Sequence, residues 1–512
     1  MTIQITPPGS SGVIFVGEEG TGTVTVAKGD GKNTTLTVNC EFDLDHIKKT
    51  FTFPISFSGT DAVKESFTIP TDKIGYWKIE ASTNSSSTVF SGAAVVVKPP
   101  DYNESNPDSF FGSMLIRNFE AANRIGIKVD RHMALWGAIE RNQGTYDWSN
   151  IDQMIDRATA HHVGVMLDVV PSLSQAVKIP WATWTRDADL LNEPQNTYYK
   201  NFLTTLVTRY KGKLVGIELF NEPDLEYFKK VHEDMDRAAD FTEKLDMESY
   251  RIIKSIDPDL PVIGLSVSGV DFRNDMQFSK AAIHSAASPM MDVFGGHGYA
   301  PGHFIDDNTP VIYPEQYDLK GKIQGVLNAM RDRGMTPRYW GTEIGFGYPF
   351  GADPLSGGCR DIAAGTAQTL VTVKSIPGAE RLFWFVYSFI NKNGGDKAGY
   401  TYSMFYENGN PAFPYPVVCA YAACARVLYK TKPDGEVNVG HGMTAYRFAE
   451  EGGNKVVVVW TNSGKHKLKA MNAAHVYDTY GREEATPDAT VSISNFPTYY
   501  VFRAGEEPRF EN

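Results

Sequence analysis

Two glutamates stand out by type and position. Glu222 follows the apolar run Ile217-Glu218-Leu219-Phe220, which breaks at Asn221-Glu222-Pro223-Asp224. Glu343 ends a second such run, Arg338-Tyr339-Trp340-Gly341-Thr342, 121 residues later (343 − 222). A carboxylate at the C-terminal tip of a buried strand is held rigidly and can face a cavity. Two of them suit cleavage of a glycosidic acetal, with one as proton donor and base and the other as nucleophile. A lone glutamate at a strand end is ordinarily a surface carboxylate; a pair placed alike favours chemistry.

The elements that would position the pair are legible in the pattern. Between Phe110 and about Lys430, short apolar runs alternate with amphipathic stretches. The runs are Phe111–Leu115, Ile127–Asp130, Gly164–Val170, Leu214–Phe220, Val262–Ser266, Val293–Gly296, Arg338–Thr342 and Leu382–Tyr387. Helical spacing shows in Phe202, Leu203, Leu206, Val207 and Tyr210, and again from Tyr250 to Ile256 before Asp257-Pro258 stops it. Eight strand–helix units over this length predict a (β/α)8 TIM barrel. Eight units over about 320 residues give about 40 residues each, so Glu222 and Glu343, three units apart, fall on strands four and seven, facing one cavity. The rival, an open doubly wound sheet, calls for a glycine-rich loop after its first strand, and residues 112–124 contain none.

The flanks read as β-structure. In residues 1–100, alternation in Thr23–Val26, Thr35–Val38, Phe51–Phe57 and Tyr76–Glu80, with Gly, Ser, Asn and Asp between, predicts an accessory β-sandwich. Trp77 on such a strand suits a core better than a sugar platform. Pro99-Pro100-Asp101 reads as a linker, giving 101–430 to the barrel. Alternation returns in Val456–Trp460, Thr490–Ile493 and Tyr499–Phe502, so 431–512 forms a small C-terminal β-domain.

Bulk properties narrow the partners. A net charge of −12 without a basic block argues against nucleic acid or an anionic membrane. No apolar run approaches the length of a membrane span. Met1–Pro8 lacks the basic and apolar regions of a signal peptide; export with earlier removal of a leader is slightly favoured over a cytoplasmic location. The four cysteines, Cys40, Cys359, Cys419 and Cys424, suit neither a disulfide framework nor zinc, and read as buried thiols. No cofactor or metal is expected. Oligomeric state is open.

These residues resemble clan A of the glycoside hydrolases, retaining barrel enzymes with acid/base and nucleophile on strands four and seven. Asn221-Glu222-Pro223 is similar to that clan's Asn-Glu-Pro, and Gly341-Thr342-Glu343-Ile344-Gly345 to its nucleophile strand. The resemblance implies Glu222 as acid/base, Glu343 as nucleophile and Asn221 at a sugar hydroxyl. Arg131, in Arg131-His132-Met133-Ala134-Leu135-Trp136, would brace the nucleophile, which His297 and Tyr299 would also approach. Trp384 would floor the sugar site. Trp136–Arg141 with Gly144–Trp148 is similar to family 39 and its relatives, as are Val476–Arg482 and Asn495–Tyr500. The implied substrate-binding set is Asn221, Arg131, Trp136, His297, Tyr299 and Trp384, and the implied partner an oligosaccharide or polysaccharide. The likeness covers about residues 110–512.

Physical logic adds to this. Glu222 needs a raised pKa to carry a proton, whereas Glu343 needs donors such as Arg131 and Tyr299 to stay ionised. A carboxyl separation of ~5–5.5 Å, and hence retention, is expected. Glu218 should lie deeper in the barrel, and Glu140 should cap or pair. His161-His162 should end a helix. Trp181, Trp184, Tyr299, His303, Tyr348 and Phe350 lie in long loops and suit either packing or sugar stacking. Two other functions compete: a metal-dependent barrel hydrolase using His132, His297 and Asp168, and a non-catalytic carbohydrate-binding barrel.

Overall fold

A computed structural model describes residues 1–512 apart from 29–32, 58–60, 171–178, 183–186, 226–234, 389–398, 408–410, 485–488 and 512. At its centre is a closed barrel of eight parallel strands in sequence order: Phe111–Met114, Val129–Leu135, Gly164–Val170, Gly216–Leu219, Val262–Val267, Val293–Gly296, Tyr339–Ile344 and Ala379–Trp384. Every expected run contributes a strand, with ends shifted by a few residues. The central strands are buried on both faces, as a parallel sheet covered by helices requires.

The helices cover the barrel with their apolar stripes. Gln195–Tyr210 buries Tyr199, Phe202, Leu203, Leu206, Val207 and Tyr210. Met235–Ile256 ends where Asp257-Pro258 follows, since proline disfavours helix in the residue before it. Ser149–Ala160 is closed by His161, whose N–H bonds back to Ala158. Among the described residues, no helix is long and apolar enough to cross a membrane.

One end of the barrel is plugged. Val129, Met166, Ile263, Val293, Trp340 and Phe383 form a separate apolar cluster inside it. A packed interior of this kind leaves the C-terminal ends of the strands as the place for a site.

The N-terminal β-structure is a sandwich. A sheet of Thr2–Thr6, Thr21–Ala27 and Ala62–Thr68 faces one of five strands that includes Thr34–Phe42 and Gly75–Thr83. The period-two burial of these strands places Ile5, Val24 and Val26 against Val38, Cys40 and Ile79. Trp77 is buried in the same core. The sandwich is pinned to the rest of the chain. Asp43 accepts from Arg360 at 2.7 Å and from the Tyr480 hydroxyl at 3.1 Å, and Tyr76 donates to the Pro414 carbonyl. The connection after Pro99 is tied down as well: Asn123 donates to the Tyr102 carbonyl, and the buried Lys128 bonds the Asp101 carbonyl. Beyond Thr431, a five-stranded and a three-stranded sheet pack face to face. All four cysteines are buried and free.

Candidate active site

Alternation along the barrel strands sets what points inward. On the second strand Val129 belongs to the plug, so Arg131, two residues on, lies one layer higher inside the barrel. On the third and fourth strands Asp168 and Glu218 are register partners and occupy the same layer. Arg131 is fully buried and ties the layer together. Its Nε donates to Glu218 at 2.5 Å and its Nη2 to Asp168 at 3.0 Å and to Asn221 Oδ1 at 2.8 Å, while Nη1 reaches Glu343 at 3.1 Å. Asp130, next to Arg131 in the chain, is on the opposite face of the strand and lies 3.8 Å from His132.

Glu343 is inside the seventh strand rather than beyond it. The register with the eighth strand slips between Gly341 and Ile344, an irregularity of the kind that re-aims a side chain. Its Oε1 accepts from the Tyr299 hydroxyl at 2.8 Å, so Tyr299 and Arg131 hold one oxygen each. Glu222 lies three residues past the fourth strand. Phe220 and Glu222 both have positive φ, 59° and 54°, a left-handed step that turns Asn221 and Glu222 toward the cavity. Glu222 Oε1 is 2.9 Å from His297 Nδ1. Single donor atoms from Glu222, His297 and Glu343 all lie within 4.8 Å of one another.

The electrostatics centre on one cation among several carboxylates. Burial disfavours the charge on Arg131, yet Glu218, Asp168 and Glu343 outweigh that and keep it protonated. Asp168 is driven well above the usual carboxylate range by burial, which Arg131 offsets only in part. Glu343 is also pushed up. Burial leads, Glu222 adds to it, and His297, Arg131 and the Tyr299 bond oppose it. The donors expected to hold Glu343 low are therefore in place, but desolvation outweighs them. His297 is pushed down by burial and stays neutral near pH 7.

Two expected sugar contacts need correction. Trp136 is fully buried, stacks on Phe202 at 5.0 Å and donates from Nε1 to Glu140. It begins a short helix on the flank of the barrel, where packing leaves no face for a ligand. Trp384 is also buried, against Phe346 in the layer outside the barrel. Phe383 fills the plug, so alternation sends Trp384 outward and brings Phe385 to the cavity side, 6.3 Å from the Tyr299 ring. Phe385 was missed because one residue of register decides which aromatic faces in.

The remaining aromatics divide. Trp181 packs on Trp136 and donates to the Glu140 carbonyl, and Tyr348 is buried. Phe350 packs at a tilt against Tyr406, and His303 lies against Tyr299 and Tyr402. Trp184 lies outside the described residues. The metal set His132, His297 and Asp168 is not assembled among the described residues. Asp168 bonds Arg131, and His132 is on the outer face of its strand.

No protein-family model matches the chain. Among solved structures it is similar to a family 39 glycoside hydrolase from the gut symbiont Bacteroides cellulosilyticus WH2. The TM-score is 0.69 at 17% identity, covering 98% of this chain and 100% of that one. It also matches xylanase 10B of Thermotoga maritima (TM-score 0.43, 15% identity, 62% and 95% covered). A family 30 subfamily 8 xylanase of Clostridium acetobutylicum matches with TM-score 0.46 at 13% identity, over 76% and 95%. The first of these establishes the fold, a TIM barrel between two β-domains. It also extends the likeness over the N-terminal hundred residues, which the sequence motifs left outside.

Proposed function

We propose that the protein is a retaining glycoside hydrolase that cleaves an oligosaccharide or polysaccharide by double displacement. The observation that carries this is the facing pair Glu222 and Glu343, with oxygens within 4.8 Å, on the fourth- and seventh-strand ends of one barrel. Retaining enzymes hold their carboxyl groups ~5–5.5 Å apart, and inverting ones wider, to admit water. The neighbours divide the roles. Glu343, with Arg131 and Tyr299 donating to its two oxygens, is the nucleophile; a carboxylate so gripped has its lone pairs oriented, and the two donors offset part of the desolvation that raises its pKa. Glu222, beside neutral His297, is the acid that protonates the leaving oxygen and then the base that activates water. Before the first step, the negative charge of Glu343 favours the protonated form of Glu222. Once the glycosyl ester forms, that charge is gone, and Glu222, having given its proton to the leaving oxygen, stays ionised and can take one from the attacking water. Asn221, oriented by Arg131, is left with its amide N–H groups for a sugar hydroxyl.

Glu222, His297 and Glu343 could also approach a metal ion. The guanidinium of Arg131, 3.1 Å from Glu343, opposes a dication there. Activity that survives dialysis against EDTA fits the glycosidase reading, and activity restored only by added metal defeats it.

The decisive test is a screen of aryl xylosides, mannosides, galactosides and glucosides in both anomeric forms, followed by substitution. Glu343→Ala should lose about 10⁴-fold in kcat on the best substrate, with azide restoring turnover as a glycosyl azide of inverted configuration. Proton NMR on the unaltered enzyme should show retention. An inverted first product would overturn the mechanism.

A further inference from the structure

Two residues beyond Glu222, Asp224 is a fully buried carboxylate that no cation faces among the described residues. Both of its oxygens go to one residue. The Ser268 N–H donates to Oδ1 at 2.8 Å and the Ser268 hydroxyl to Oδ2 at 2.6 Å. Ser268 follows the fifth strand, and its oxygen also accepts from the Val270 N–H at 3.0 Å. A second tie runs alongside, from the Glu222 N–H to the Ser266 carbonyl at 3.0 Å.

These ties take over where sheet pairing stops. The fourth and fifth strands are in register only through Ile217 with Val262 and Glu218 with Ile263. Beyond that, Phe220 and Glu222 on one side and Leu265 and Ser266 on the other all have positive φ. Such residues are strained and persist only where neighbours over-determine them. A neutral side chain could brace the turn without the penalty of a buried, uncompensated charge. What a carboxylate adds is negative potential beside Glu222.

We propose that Asp224 is a positioning residue for proton transfer by Glu222: through Ser268 it fixes the loop that carries the Glu222 carboxyl, and its charge favours that carboxyl's protonated form. This rests on the reading of Glu222 as acid/base. Among the described residues, the ionisable groups that act on Asp224 include Glu222 on its own loop, Asp271 on the short helix Gly269–Arg273, and His297 at the end of the sixth strand. Burial pushes Asp224 itself up to about 7, so its charge develops across neutrality.

The test compares two leaving groups on the sugar chosen by the screen, the phenyl glycoside, which needs a proton, and the dinitrophenyl glycoside, which does not. Asp224→Ala and Ser268→Ala should each lower kcat/KM on the phenyl glycoside by about tenfold or more, since small displacements of a catalytic group are costly. On the dinitrophenyl glycoside both should stay within about threefold of the unaltered enzyme. Asp224→Asn keeps the shape and loses the charge. Its basic limb in the kcat/KM profile should move to lower pH, because removing a neighbouring negative charge lowers the pKa of Glu222. Equal losses on both substrates, or none on either, overturn the proposal. If Asp224→Ala does not fold, Ser268→Ala and Asp224→Asn decide it. Glu222→Ala serves as reference: if it lacks the same leaving-group signature, the acid/base reading fails first and separately.

Discussion

The two ends of the barrel interior are built by the same strands, two residues apart, and they bury opposite things. Val129 and Met166 lie in the lower layer with Ile263, Val293, Trp340 and Phe383, all apolar. One step up the same strands are Arg131 and Asp168, joined by Glu218 from the fourth. Burying the lower layer is favourable at ~25 cal/mol per Å² of apolar surface. The upper layer costs desolvation that its own ion pairs offset only in part, as the raised pKa of Asp168 shows. The lower layer therefore supports the fold, and on the proposed function the upper layer is maintained for chemistry. Substitutions in the lower layer should be read in stability alone, and those in the upper layer in rate as well.

Arg131→Met should have the largest effect. It removes the cation that Glu218, Asp168 and Glu343 share, and with it a donor to the proposed nucleophile Glu343. We expect kcat to fall by about 10²–10³-fold, with stability lower by roughly 3–5 kcal/mol as buried carboxylates lose their partner. Steady-state kinetics and urea unfolding read the two parts. A full-rate Arg131→Met enzyme would break the division between layers. Trp340→Ala is the converse. Truncating the largest plug residue should cost about 3–5 kcal/mol, while kcat per folded molecule, checked by active-site titration, stays within about threefold.

Much of this was legible in the sequence because it follows from strand period and strand order. The eight strands, the pairing of Glu222 with Glu343, and the inward direction of Glu218 need only alternation and the βα count, while Arg131 was placed by the resemblance of its segment. What was not legible depends on single-residue register. Trp384 and Phe385 exchange faces with one step along the strand, and the composition of the run is the same either way. Trp136 looked like a ligand contact because its local motif says nothing about the aromatic cluster of Trp181, Tyr199 and Phe202 that encloses it. Asp168, read only as a candidate metal ligand, could have been placed beside Arg131, since it stands two residues after the plug residue Met166. The clamp between Asp224 and Ser268 spans 44 residues and two strand ends, and no local signal announces it.

The outer face of the second strand offers a third case, a buried charge that serves neither layer. Asp130 is fully buried beside His132, and burial raises its carboxyl to about 8 against a nearby Ile116 backbone N–H. His132 is pushed down to about 4 by burial and so offers no cation near neutrality. An unfolded aspartate titrates near ~3.9. The folded state thus holds a proton that the unfolded state has released between about pH 4 and pH 8. The stability linked to this group is full below that window and is lost as pH rises through it. Asp130→Asn should flatten the decline, being more stable than the unaltered protein by about 2–4 kcal/mol at pH 8 and much closer to it at pH 5. Urea unfolding at the two pH values measures this, and parallel curves would reject it.

The smallest expected effect tests how tightly the layers are coupled. Gly216 stands at the foot of the fourth strand, two residues below Glu218. A Cβ there would meet the Trp340 ring at 2.8 Å and Ile263 Cδ1 at 3.0 Å. The indole is rigid and enclosed, so Gly216→Ala should cost about 1–3 kcal/mol through overpacking. In the Trp340→Ala background the added methyl enters the space the indole vacates. The double variant should then be more stable than the sum of the single effects requires, with a coupling of about 1–2 kcal/mol. Should Gly216→Ala instead lower kcat as strongly as it lowers stability, the plug would be setting the height of Glu218 and through it the aim of Arg131. The two layers would then act as one unit, and their separation into a part for folding and a part for chemistry would be lost.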